Sequence, residues 1–117
     1  MLTKRGDIVR VLFPNSNLRT AKRRPALVVQ ADNLNTGLSQ TVLAMISSNL
    51  NRANHPSRVT ILLDSSQGVS SGLRLDSVIM TDNLITVLDS EIDSVLGYLL
   101  KMDEVESALC HTFGIKN

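Results

Sequence analysis

The sequence has little of several residue types on which common kinds of site depend. It contains one cysteine, two histidines and three aromatic residues, with no tryptophan. A single cysteine excludes an internal disulfide and is typical of a reducing compartment. No Cys-x-x-Cys, His-Glu-x-x-His or calcium-loop pattern occurs. We therefore expect a protein that binds no metal and no cofactor.

Other missing patterns narrow the function further. No segment approaches the roughly 18 consecutive apolar residues that a membrane-spanning helix needs, and residues 1–7 lack the apolar core of a signal peptide. We predict a cytoplasmic protein without a membrane partner. No Gly-x-Ser-x-Gly elbow and no glycine-rich phosphate loop is present. With so few aromatic residues, an aromatic platform for base stacking is not expected.

The chain has the length of one domain, and we predict a single domain over residues 1–117. Its charges are unevenly distributed along the sequence. Residues 1–30 carry seven basic residues and one acidic residue, whereas residues 64–117 carry nine acidic and three basic residues. The net charge of +1 conceals this difference. Either the two halves neutralise each other in space, or one face is basic and binds a polyanion.

Short apolar segments separated by turn residues predict a mainly β protein. We expect strands at 7–13, 25–31, 41–46, 58–63, 77–81 and 84–88, then a helical turn at 90–93 and an extended segment at 95–100. In residues 103–113, apolar positions three and four apart form one stripe, and Gly114 is a natural helix stop. The predicted fold is a curved barrel of five to six strands followed by a C-terminal helix.

Three of the predicted strands are apolar at nearly every position. The runs 26–29, 42–46 and 84–88 do not alternate, which indicates burial on both faces of the sheet. In a small barrel, something must then cover the outer face. We predict a homodimer that provides this cover, and the chain's own C-terminal helix is the alternative.

The tripeptide Arg23-Arg24-Pro25 precedes one of these buried strands. Pro25 fixes its own φ and favours an extended conformation at Arg24. Arg24 is therefore held at the mouth of a rigid element, where a guanidinium group suits an anion such as a phosphate.

Ser47 and Ser48 end the following strand. If the two strands are antiparallel neighbours, the start of one meets the end of the other, and Arg24 and Ser47 share one edge of the sheet. Without a metal, such a pair suits RNA cleavage by internal attack of the 2′-hydroxyl, with Arg24 stabilising charge on phosphorus and Ser47 bonding a phosphate oxygen or moving a proton. The alternative is that Ser-Ser-Asn forms an ordinary turn.

Several blocks, in order, resemble the MazF/PemK family of toxin endoribonucleases. They are Lys-Arg-Gly-Asp-Ile-Val at 4–9, Ala-Lys-Arg-Arg-Pro-Ala-Leu-Val-Val-Gln at 21–30, residues 41–49 and Leu-Asp-Ser-Val-Ile at 75–79. The resemblance implies a homodimeric SH3-like barrel and a metal-independent, sequence-specific cut in single-stranded RNA that leaves a 2′,3′-cyclic phosphate and a 5′-hydroxyl. It also implies a cognate antitoxin whose acidic C-terminal segment occupies the RNA groove.

By motif position, the family's catalytic arginine and threonine correspond to Arg24 and Ser47. The candidate RNA contacts are Arg19, Lys22, Arg23, Ser48, Asn49 and Arg52. Three departures stand out. Serine replaces the family threonine at position 47 and lacks the methyl group that restricts χ1. The loop before Arg24 has no acidic residue. Met80 stands where some relatives have a catalytic arginine. No general base is identifiable.

The departures keep a second hypothesis open, that the same barrel is a non-catalytic binding module. Such a module would bind nucleic acid or contact a protein, as gyrase-poisoning toxins of similar fold do. Cleavage of DNA phosphodiesters is disfavoured because the sequence offers no metal ligands.

Overall fold

The fold is built from six strands and two α-helices. The computed structural model describes residues 2–15 and 17–116, so Ser16 in the first predicted turn and both terminal residues lie outside the described part. The elements are β1 Asp7–Pro14, β2 Ala21–Val28, β3 Gln40–Ser47, β4 Arg58–Ile61, α1 Ser66–Ser71, β5 Ser77–Leu88, β6 Ile92–Tyr98 and α2 Asp103–Phe113. Single 3₁₀ turns occupy Leu50–Arg52 and Asp89–Glu91.

All six strands belong to one curled antiparallel sheet in the order β4-β5-β3-β2-β1-β6. The predicted class, a mainly β curved barrel followed by a C-terminal helix, is confirmed. The predicted helix lies at Asp103–Phe113 and stops at Gly114, whose φ of 67° is favourable only for residues such as glycine.

Neighbouring residues of the central strands contribute to different apolar clusters, one on each face of the sheet. Ile8, Leu27 and Ala44 belong to the first cluster, which α2 covers with Val105 and Ala108. The second cluster contains residues of β1, β2, β3, β5 and β6, so the sheet curls around it. Its members are Val9, Val11, Phe13, Ala26, Val28, Leu43, Val87 and Ile92.

Burial on both faces is therefore confirmed for the central apolar segments of β2 and β3. The prediction of burial on both faces is wrong for part of the run 84–88, because Thr86 and Leu88 are exposed on β5. Both clusters are buried within one chain, and α2 is the cover on one side. The burial pattern alone does not require a second subunit.

Two further expectations about elements need correction. The separate strands at 77–81 and 84–88 are one strand, β5, which continues through Asp82 and Asn83 with a register shift against Ala44 and Met45 of β3. A bulge of this kind accommodates turn-favouring residues inside a strand. The predicted turn after β4 instead contains α1, whose N-cap is the Ser65 hydroxyl accepting from the Gly68 N–H.

β2 also begins earlier than predicted, at Ala21 rather than at residue 25. Its first half pairs with β1 alone, since the ladder between β2 and β3 covers only Ala26–Val28. The N–H of Val29 donates to the carbonyl of Val42, so the odd-numbered residues of β2 direct their N–H groups toward β3. Pro25 has no N–H to donate, and the two strands part at this residue.

Candidate functional site

The split between β2 and β3 brings the predicted site residues to one region of the molecule. β2 and β3 are antiparallel neighbours, which is the condition that the sequence analysis set for a shared edge, and Ala26 pairs with Met45. The ladder ends at this pair; by strand alternation, Arg24 and Ser47 each lie two residues beyond it on the face of the sheet that carries Ala26 and Met45. Arg24 and Ser47 therefore share one face at one end of the sheet, where no ladder hydrogen bond joins the two strands.

The Arg24 guanidinium is partly buried and held by one neighbour. Its Nη2 donates to Oδ1 of Asn15, at 2.5 Å, in the connection between β1 and β2. Its Nε is buried and has no hydrogen-bond partner among the residues that the structure describes. Buried donors are nearly always paired in folded proteins. No described carboxylate forms an ion pair with this guanidinium, so its charge is available to a phosphate.

Ser47 and Ser48 have different surroundings. Ser47 is 7% exposed, and its Oγ accepts a hydrogen bond of 3.1 Å from the backbone N–H of Asn49. Ser48 is exposed and lines a cavity at the split. The Ser47 hydroxyl still has its own proton to donate, because its known hydrogen bond uses an oxygen lone pair.

The cavity at the split has a volume of about 390 Å³ and a strongly basic lining. Its walls come from β1, β2, the end of β3, β6 and the connection between α1 and β5. No acidic residue lines it within the described part of the chain. Five of its lining residues are basic: Arg10, Lys22, Arg23, Arg24 and Arg74.

The cavity gathers Lys22, Arg23 and Ser48 from the predicted RNA contacts. Arg23 also forms an ion pair of 2.5 Å with Asp93 of β6, so part of its charge is already neutralised. The other predicted contacts do not line this cavity. Arg19 lies exposed in the β1–β2 connection. Arg52 ends the 3₁₀ turn after β3, and Asn49 is the N-cap of that turn, with its Oδ1 accepting from the Asn51 N–H.

Sequence reasoning missed two of the basic lining residues, Arg10 and Arg74. Arg10 had a signal, because it interrupts the apolar run of β1 between the buried Val9 and Val11 and is paired with Pro25. Arg74 had none, since only the tertiary packing of the α1–β5 connection brings it to the cavity.

Asp82, two residues after Met80 on β5, is engaged outside this cavity. Arg58 Nη2 lies 2.7 Å from Asp82 Oδ2 and its Nε bonds Oδ1 at 3.3 Å. This hydrogen bonding from Arg58 lowers the pKa of Asp82 below its ordinary value. Asp82 is therefore a charged ion-pair partner at neutral pH and not a proton donor.

Within residues 2–15 and 17–116, no three His, Cys, Asp or Glu side chains are grouped closely enough to hold a metal ion. No described helix is both long and apolar enough to cross a membrane.

Comparison with known proteins decides the family. Residues 4–113 match the model of the PemK-like, MazF-like toxins of type II toxin–antitoxin systems. The chain belongs to the PemK/MazF toxin family. The match covers nearly the whole chain and includes the cavity and both residues of the Arg24–Ser47 pair.

Solved structures share the PemK/MazF fold at low sequence identity. An endoribonuclease from a mycobacterial species is 19% identical with a TM-score of 0.75, over 100% of this chain and 96% of that one. A mycobacterial endoribonuclease in complex with its cognate antitoxin is 20% identical with a TM-score of 0.75, over 98% of each chain. MazF from Deinococcus radiodurans is 22% identical with a TM-score of 0.69, over 98% of this chain and 99% of that one.

Proposed function

We propose that this PemK/MazF-family toxin is a metal-independent endoribonuclease that cleaves single-stranded RNA, including mRNA, at specific sequences. The observation that carries the proposal is the Arg24 guanidinium, which is held by the neutral Asn15 amide without an ion pair to any described carboxylate, on a residue that lines a basic cavity. An arginine held in this way keeps its full charge for the phosphoryl group of a substrate. The mycobacterial neighbour that is named an endoribonuclease supports the same chemistry.

The proposed reaction is an internal transesterification. The 2′-oxygen of the substrate forms a bond to the adjacent phosphorus, the bond from phosphorus to the 5′-oxygen breaks, and the products are a 2′,3′-cyclic phosphate and a 5′-hydroxyl. The proton lost by the 2′-hydroxyl balances the proton gained by the departing 5′-oxygen. Arg24 stabilises negative charge on the phosphoryl oxygens as it accumulates. Ser47 donates its hydroxyl proton to one of those oxygens or helps to transfer a proton.

The same surface also suits an acidic protein partner. We propose that a cognate antitoxin places an acidic C-terminal segment across the basic cavity and competes with RNA there. The antitoxin complex of a structural neighbour supports this pairing. We further propose that the toxin acts in the cytoplasm as a homodimer, as the family resemblance implies.

A second candidate function is a non-catalytic binding module, which binds nucleic acid or inhibits a protein such as gyrase. One observation favours it: Ser47 is 7% exposed and is not among the residues that line the basic cavity, whereas Ser48 is. A binding module needs the basic cavity and has no use for a free hydroxyl.

One experiment separates the two functions. The purified protein is incubated with a long single-stranded RNA in excess EDTA, and the 5′ ends of the products are mapped and tested for phosphate. The endoribonuclease proposal predicts discrete cuts with 5′-hydroxyl ends that persist in EDTA. Salt-sensitive binding of the same RNA without any cut would support the binding module instead.

A further inference from the structure

The basic cavity contains two arginines that the Arg24–Ser47 pair does not use. Arg10 lies on β1 and Arg74 on the connection between α1 and β5, so two separate parts of the chain direct charge at one space. Neither guanidinium is ion-paired with a carboxylate within the described part of the chain. Their charges are therefore available to an anion.

Arg10 and Arg24 lie on opposite faces of the sheet. Arg24 pairs with Val11 and Arg10 pairs with Pro25 in the β1–β2 ladder, and neighbouring positions along a strand point to opposite sides. Arg24 reaches Asn15 on the face of Val11. A phosphate bound by Arg10 is consequently a different phosphate from the one bound by Arg24.

Apolar side chains line the same cavity as Arg10 and Arg74. Pro25 and Ile46 come from the sheet, Leu73 and Leu75 flank Arg74, and Leu96 comes from β6. A cavity of about 390 Å³ falls within the usual size range for small-molecule sites, which combine an apolar lining with a few polar groups. An apolar lining with cationic groups matches a nucleotide, whose base has flat faces suited to apolar contact and whose phosphate is anionic.

The wall that carries Arg74 is held rigidly. Gly72 ends α1 with a φ of 72°, and a Cβ atom there would lie 2.0 Å from the carbonyl oxygen of Leu96, so helix and strand touch through their backbones. Gln67 of α1 accepts from the N–H of Leu100 at 2.6 Å and donates to the carbonyl of Lys101 at 2.7 Å. Preorganised supporting contacts of this kind are what a binding residue requires.

We propose that the cavity is a nucleotide subsite, in which Arg10 and Arg74 bind a phosphate and the apolar residues contact the base. The proposal rests on the proposed function, because the nucleotide is taken to be one that flanks the cleaved bond. The RNA strand then crosses the split between β2 and β3, with the cleaved phosphate at Arg24 and a neighbouring phosphate on the other face.

The test measures binding apart from cleavage. The ligand is a fluorescent single-stranded deoxyoligonucleotide, which lacks the 2′-hydroxyl and cannot be cleaved by internal attack. Its dissociation constant is measured at several salt concentrations. The variants are Arg10→Gln and Arg74→Gln. Lys101→Gln removes a similar charge from the β6–α2 connection, which does not line the cavity, and serves as the control.

We expect each arginine variant to weaken binding about fivefold or more and to reduce the salt slope by about 1, which is the effect of losing one phosphate contact. The control should bind like the parent. In RNA cleavage, the arginine variants should raise KM and leave kcat unchanged, because Arg24 is intact. Unchanged melting temperatures would show that the variants remain folded.

Each other outcome has a defined meaning. If both arginine variants bind the oligonucleotide with the dissociation constant of the parent, the subsite is overturned, even if the protein cleaves RNA. A fall in kcat at constant KM also overturns it, since the arginines would then act on the reaction itself. If the parent binds no oligonucleotide, the proposed function fails first. In that case NMR titration with a 5′-mononucleotide tests the subsite alone. Chemical-shift changes at Ile46 and Leu73 that Arg74→Gln abolishes would keep the cavity as a site for a free nucleotide. No such changes with the mononucleotide, or changes with an acidic peptide only, would overturn the subsite.

Discussion

Asn15 accepts a hydrogen bond from the guanidinium group of Arg24 at 2.5 Å. The amide holds the side chain in place without neutralising it, whereas a carboxylate in the same position would form an ion pair. The full positive charge of Arg24 therefore remains available to a phosphate. The connection between β1 and β2 thus contributes to the site through a neutral residue where the family resemblance led us to look for an acid.

Replacing Asn15 tests this arrangement. Asn15→Ala removes the acceptor and should lower kcat for RNA cleavage by roughly ten- to a hundredfold, since hydrogen bonds to charged groups contribute about 1.5–3 kcal/mol. Asn15→Asp keeps the acceptor but adds a negative charge, so it should also weaken binding of an uncleavable oligonucleotide. Equal kinetics for the parent and both variants would show that Asn15 does not position Arg24.

The two neighbouring serines give a second prediction. Ser47→Ala should reduce kcat by roughly tenfold or more, because it removes the hydroxyl that we propose to bond a phosphoryl oxygen or transfer a proton, while Ser47→Thr should retain activity. Ser48→Ala should affect KM more than kcat, since Ser48 only lines the cavity. Steady-state cleavage of one short RNA measures all three variants. The assignment is reversed if Ser48→Ala abolishes cleavage and Ser47→Ala does not.

The contact between α1 and β6 predicts a large stability difference between two glycine variants. Gly72→Ala would bring a Cβ atom within 2.0 Å of the Leu96 carbonyl oxygen at a positive φ, which combines strain of about 1–2 kcal/mol with overpacking of about 1–3 kcal/mol. Gly37→Ala has a similar φ of 80° but no atom within 4 Å. By thermal unfolding, Gly72→Ala should lower Tm at least twice as much as Gly37→Ala. Equal losses would mean that helix and strand are not tightly packed.

The pair between Arg58 and Asp82 predicts a pH-dependent contribution to stability. The pKa of Asp82 is lowered in the folded protein by hydrogen bonding from Arg58, so the stabilisation is complete above the unfolded pKa of about 3.9 and is lost as pH falls through the lower folded value. Asp82→Asn should lower Tm by a few degrees at most at pH 7, because both side chains are partly exposed. The Tm difference between parent and variant should vanish in strong acid. A constant difference across pH would exclude this origin.

Local patterns were sufficient for much of the fold. The apolar stripe around Val105 and the stop at Gly114 defined α2, and the position of Pro25 indicated where Arg24 would be held. These features depend on residues close together in the chain. The full extent of β5 does not depend on local sequence alone. Asp82 and Asn83 favour a turn, and only the ladder with β3 keeps them in one strand.

The composition of the site was only partly predictable for the same reason. The sequence indicated Arg24 and its basic neighbours on β2, which share a short segment. Arg74 reaches the cavity because Gly72 allows α1 to pack against Leu96, and that contact joins distant parts of the chain. Ser47 was predicted as a site residue, yet its burial and its bond to Asn49 follow from the turn that ends β3.

The most direct test of the central claim is the single-turnover rate of RNA cleavage by Arg24→Ala in excess EDTA, beside the parent and Lys101→Ala. We predict a loss of roughly 100- to 1,000-fold for Arg24→Ala, the usual effect of removing one group that stabilises transition-state charge, with an unchanged Tm and parental cleavage by Lys101→Ala. Cleavage by Arg24→Ala at the parental rate, with the same cut sites, would contradict the account.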